Sequence, residues 1–121
     1  MTARKVLVAE DDESIRMTLE FVLEDEGFDV LFAHDGEEAL ALARSELPDV
    51  ILLDQMMPKM DGSEVLAALQ AGVTTKRIPV FVMTGMARGD AKDWAGAHFI
   101  GKPFSPDVLV GHIRRVLDPV T

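Results

Sequence analysis

Cysteine is absent from the 121 residues. That excludes disulfides, thiolate metal sites and thiol nucleophiles, and it fits a cytoplasmic location. Basic residues are few: 12 Lys and Arg face 21 Asp and Glu, a formal net charge of −9. A sequence-independent grip on nucleic acid needs clustered cations, so direct nucleic-acid binding is not expected. Attraction to an anionic membrane surface is disfavoured for the same reason. No apolar run approaches the roughly 18 residues of a membrane span, and no signal-peptide pattern opens the chain. The length suits one domain with its own core. We read residues 1–121 as that single domain, with the core over about residues 4–118.

What is present is an alternation of short apolar runs and amphipathic stretches. Lys5-Val6-Leu7-Val8-Ala9 is a first strand, ending in Glu10, Asp11 and Asp12. Ile15, Leu19, Val22 and Leu23 then share one face of a helix over about Glu13 to Glu26, with Asp12 as its cap and Gly27 at its end. Phe28 to Ala33 makes a second strand. Asp35 caps a second helix, with Glu38 three residues on in a variant of the capping box, and Asp61 with Glu64 repeats the pattern before a third. Between those two helices, Val50 to Leu53 reads as a strand buried on both faces that stops at Asp54. Ile78 to Met83 gives a fourth strand ending in Thr84-Gly85, and Ala97 to Ile100 a fifth ending in Gly101-Lys102. Met86 to Ala95 between them shows little periodicity, so any helix there is short. Ser105-Pro106-Asp107 starts a last helix, Ser105 as cap, whose buried face is Leu109, Ile113, Val116 and Leu117. Five alternations with right-handed crossovers make an α/β fold, a doubly wound five-stranded parallel sheet.

Ligands bind outside the carboxyl ends of such strands. The groups there are Glu10 and Asp11, Asp54, Thr84 and Lys102. If the first and third strands are neighbours, three carboxylates converge. Like charges about 4 Å apart repel by roughly 4 kcal/mol at an effective dielectric of 20. An all-oxygen cluster of that kind suits a hard divalent cation such as Mg²⁺. A carboxylate-held metal, a nucleophilic carboxylate, a lysine and a hydroxyl together point to phosphoryl transfer onto Asp54 itself. Singly, each residue has a plainer reading: helix cap, turn hydroxyl or solvated cation. Their placement on one sheet edge is what favours the shared function. His34, His98 and His112 share no ligand spacing, and Met56, Met57 and Met60 read as packing.

The stretches V-L-V-A-E-D-D, L-L-D-Q-M-M-P-K-M-D-G, V-F-V-M-T-G and G-K-P-F, in that order, resemble the receiver domain of two-component response regulators, CheY-like, over roughly residues 4–118. The resemblance implies a flavodoxin-like sheet of order 2-1-3-4-5. It implies Asp54 as phosphoacceptor, charged by a histidine kinase or a histidine phosphotransfer protein. Asp11, Asp54 and the backbone carbonyl of Met56 would bind Mg²⁺, with Glu10 acting through water. Lys102 would hold the phosphoryl group, with a cis bond to Pro103, while Thr84 and Phe99 would be the switch residues. Phosphorylation would remodel the surface around the fourth helix, fifth strand and fifth helix and act on an output protein or effector domain. The chain would be a monomer or a weak phosphorylation-dependent dimer. It would catalyse only its own aspartyl phosphorylation and dephosphorylation, and so is not an enzyme in the usual sense.

Two departures stand out. The interval from Thr84 to Lys102 is short by roughly four residues, about one helical turn, so the fourth helix is expected to be abbreviated. Phe99 also lacks the hydroxyl of the tyrosine commoner there. The alternative is a degenerate receiver that binds proteins without phosphorylation; every expected site residue is present, which counts against it. A phosphatase with an aspartyl nucleophile would want an acid two residues after Asp54, where Met56 stands.

Overall fold

The computed structural model describes residues 4–55, 57, 59–84, 96–101 and 105–118. Five strands form one parallel sheet: β1 (Lys5–Ala9), β2 (Asp29–Ala33), β3 (Val50–Asp54), β4 (Val80–Thr84) and β5 (His98–Gly101). Their order is β2-β1-β3-β4-β5, as the resemblance implies. Four helices are described: α1 (Glu13–Asp25), α2 (Gly36–Glu46), α3 (Gly62–Ala71) and α4 (Pro106–Leu117). The abbreviated helix expected over residues 86–95, with Trp94, lies outside the described residues. The helix read as the fifth from sequence is therefore α4 here.

Alternation along the strands splits the core in two. Val6, Val8, Val50, Leu52, Phe81 and Met83 face α1 and α4, meeting Leu19, Leu23, Leu109 and Ile113. Leu7, Ala9, Ile51, Leu53, Val80 and Val82 face α2 and α3, meeting Ala39, Ala43, Val65, Leu66 and Leu69. Central strands covered on both faces have no polar alternation to offer, which is why β3 is buried throughout.

The helix starts follow the sequence with two adjustments. Asp12 caps α1, accepting from the N–H groups of Ser14 and Ile15, and Asp61 with Glu64 closes a full capping box on α3. At α2, Asp35 accepts from the Glu38 N–H, but the Glu38 carboxylate reaches back to the N–H of His34, one residue earlier than a box requires. Ser105 occupies the cap position of α4 without a side-chain cap bond; Pro106 presets the first turn instead. The fourth strand begins at Val80 and not at Ile78, because Ile78 donates to Thr75 in a turn and Pro79 has no N–H for the ladder. Leu47 ends α2 in the left-handed region, with φ of 46°.

Candidate functional site

The sheet register brings the strand ends together. Ala9 lies opposite Leu53 and Asp54 opposite Met83, so Glu10 and Asp11 follow β1 beside Asp54, and Thr84 follows Met83 on the other flank. Carboxylate oxygens of Glu10, Asp11 and Asp54 all lie within 4.8 Å of one another. The convergence that was conditional on β1 and β3 being neighbours is therefore present. Glu10 is 1% exposed and Asp54 8%, whereas Asp11 is exposed. Two of the three charges thus sit at the floor and one at the rim.

The donor set fits a hard cation. Opposite oxygens around a six-coordinate Mg²⁺ at its usual ligand distance are separated by about 4.2 Å. Oxygens held within 4.8 Å of one another are on that scale. Asp12 contributes no ligand to this cluster: its Oδ1 is held by Ser14 and Ile15 at the start of α1. Arg16, one turn into α1, donates from its guanidinium to the Glu10 carbonyl oxygen at 2.9 Å. It ties a cation from α1 to the backbone at the end of β1, a contact the sequence had not marked. The histidines lie elsewhere, His34 against the Glu38 carboxylate and His98 stacked on Phe81 at 4.8 Å between ring centres.

Thr84 is 8% exposed, and its hydroxyl donates to the side-chain oxygen of Gln55 at 2.5 Å. Phe99, opposite Val82 on β5, is half-buried against the α2/α3 side of the core. Lys102, Met56 and Pro103 lie outside the described residues.

The loop after Asp54 is seated on the start of α2. A side-chain carbon on Gly36 would fall 2.4 Å from the Met60 carbonyl oxygen and 2.5 Å from its Cβ. Lys59, at φ 69°, places its ammonium 3.5 Å from the Asp35 carboxylate. Hydrogen bonds from the Glu38 N–H, aided by the Lys59 charge, hold the Asp35 carboxyl below its ordinary range. Nothing in the spacing of Gly36 and Met60 announced this approach.

A family model for the response regulator receiver domain matches residues 6–114. The chain belongs to that family. Among curated relatives, a probable transcriptional regulator, ycf27, of Guillardia theta is 40% identical over 96% of this chain and 46% of its own length. The alkaline phosphatase synthesis transcriptional regulatory protein PhoP of Bacillus subtilis is 37% identical over 94% of this chain and 48% of its own. The receiver described here thus spans about half the length of the curated relatives it matches. Among solved structures, the chemotaxis response regulator CheY4 of Vibrio cholerae superposes with a TM-score of 0.88 at 36% identity, covering 96% of this chain and all of that one. The receiver domain of a Pseudomonas aeruginosa sensor histidine kinase, solved with a magnesium ion in its active-site cleft, superposes with a TM-score of 0.88 at 25% identity, over 96% of this chain and 98% of that one. No helix among the described residues is long and apolar enough to cross a membrane.

Proposed function

We propose that this receiver takes a phosphoryl group on Asp54 from a histidine kinase or a histidine phosphotransfer protein. The observation carrying the reading is the approach of the Glu10, Asp11 and Asp54 carboxylates to within 4.8 Å at the edge where Thr84 also stands. One Asp54 oxygen attacks phosphorus, the bond from phosphorus to the donor nitrogen breaks, and an acyl phosphate forms. Asp11, Asp54 and the Met56 carbonyl would hold Mg²⁺ directly and Glu10 through water. Bound there, the cation supplies charge neutralisation to the oxygens in transfer. Lys102 pairs with the phosphoryl group, Thr84 donates to one of its oxygens, and Phe99 repacks as the hydroxyl moves. The protein catalyses this transfer, and the later hydrolysis of the acyl phosphate to the free Asp54 carboxylate and inorganic phosphate, only on itself.

The output is a change in the surface around β5 and the helices flanking it, read by an effector domain or a separate protein in the cytoplasm. The receiver works as a monomer or a weak phosphorylation-dependent dimer and makes no direct contact with nucleic acid.

Intact mass after incubation with acetyl phosphate and Mg²⁺ tests the reading. One added phosphoryl group, lost with EDTA and in Asp54→Asn, is expected. No adduct, together with no change in the NMR spectrum on adding beryllofluoride and Mg²⁺, would favour a degenerate receiver that binds its partner without phosphorylation.

A further inference from the structure

We propose that Gln55 is a positioning residue for Thr84. Its side-chain oxygen holds the Thr84 hydroxyl in the unphosphorylated orientation, and phosphorylation exchanges that acceptor for a phosphoryl oxygen. The inference rests on the phosphoacceptor reading of Asp54. A threonine hydroxyl has one proton to donate. Here it is donated to Gln55 Oε1 at 2.5 Å. The same proton cannot also serve a phosphoryl group on Asp54, so the two acceptors compete.

The stems of both side chains are fixed. The Gln55 N–H donates to the Met83 carbonyl at 3.1 Å, and its own carbonyl accepts from the Gly62 N–H at 3.0 Å, where α3 begins. Thr84 is the last residue of β4 and lies opposite Gly101 of β5. With both backbones tied into ladders, exchange falls to the side-chain torsions. The β-branched threonine has few of these to choose from, so its hydroxyl moves between discrete positions. Gln55 therefore weights the equilibrium toward the resting position by what one neutral hydrogen bond contributes, roughly two- to tenfold.

Beryllofluoride with Mg²⁺, titrated by NMR, measures the weighting. Gln55→Met keeps side-chain length and removes the amide acceptor; it is expected to bind beryllofluoride roughly two- to tenfold more tightly than the wild type. Gln55→Leu serves as a second variant should the urea midpoint of Gln55→Met fall. On a Thr84→Val background the same Gln55 substitutions should leave affinity unchanged, since the competing proton is gone. Wild-type affinity in both Gln55 variants overturns the proposal. So does a tightening that persists undiminished with Thr84→Val, because it would not pass through the hydroxyl. A wild-type protein that binds no beryllofluoride overturns the phosphoacceptor reading and this inference with it, whereas binding in the wild type with no Gln55 effect overturns this inference alone.

Discussion

Replacing Asp54 with asparagine should stabilise the metal-free protein, and the size of the effect can be worked from the acid cluster. Two unit charges at 4.8 Å, the outer limit of separation in the cluster, interact by about 3.5 kcal/mol at an effective dielectric of 20 and by about 0.9 kcal/mol in bulk water. Glu10 and Asp54 are both buried, so their repulsion belongs near the first figure; Asp11 is exposed, so its share belongs near the second. Gross relief on removing the Asp54 charge is then about 4 kcal/mol. Favourable contacts of the same carboxylate and screening by salt offset part of it, leaving an expected gain of about 1–3 kcal/mol. Asparagine is close in shape, so the core should not respond. Urea melts in EDTA should show a midpoint raised by about 0.5–1.5 M with an unchanged slope. Adding Mg²⁺ should stabilise the wild type by about 2.7 kcal/mol at 100 times its dissociation constant and the variant by less, so the gap narrows or reverses. A less stable Asp54→Asn in EDTA, or equal stabilisation of both proteins by Mg²⁺, would refute the crowded-carboxylate argument.

Gly36→Ala should cost about 1–3 kcal/mol in urea melts, because the new methyl would meet the Met60 backbone at 2.4 Å; a neutral or stabilising result, ordinary for glycine-to-alanine in a helix, would show that the loop yields freely. Asp61→Ala should cost about 1 kcal/mol near neutral pH by opening the capping box of α3. The Ser63 hydroxyl and the Glu64 N–H hold the Asp61 carboxyl below its ordinary 3.8, so its contribution is complete above that value and fades as pH falls through the depressed one. The difference between wild type and Asp61→Ala in urea melts should accordingly shrink on acidification below about pH 4, and a difference that stays constant to pH 2 would contradict the linkage.

Much of this architecture is legible in the sequence because each strand run is short, apolar and closed by a polar group. Val50 to Leu53 needs no partner to be read as doubly buried, and Asp54 is the first residue that cannot continue such a strand. Asp12, Asp35 and Asp61 announce their helices through chemistry local to four residues. Errors fall where a local signal competes with a distant one. Ile78 and Pro79 look like the start of β4, yet the N–H of Ile78 turns back to Thr75, and Pro79 offers the ladder only its carbonyl, which accepts from Ile51. Glu38 sits three residues past its cap, but the N–H of His34 claims its carboxylate. The seating of Met60 on Gly36 joins residues 24 positions apart, whose proximity depends on how α2 and the start of α3 pack together.

The contact between Gln55 and Thr84 belongs to the same class, and its origin lies in the core. Strands β3 and β4 are parallel, and Leu52 lies opposite Phe81 on the α1/α4 side while Leu53 lies opposite Val82 on the α2/α3 side. Sliding one strand by a single residue would exchange those faces and expose the wrong set to each helix layer. The apolar pattern therefore locks the register, and the locked register sets Asp54 opposite Met83. One step further, the residue after the acid must stand beside the residue after Met83, which is the threonine whose hydroxyl it receives. The pairing of the residue after Asp54 with the Thr84 hydroxyl is thus set by packing at Leu52, Leu53, Phe81 and Val82. The spacing of the polar residues alone could not reveal it.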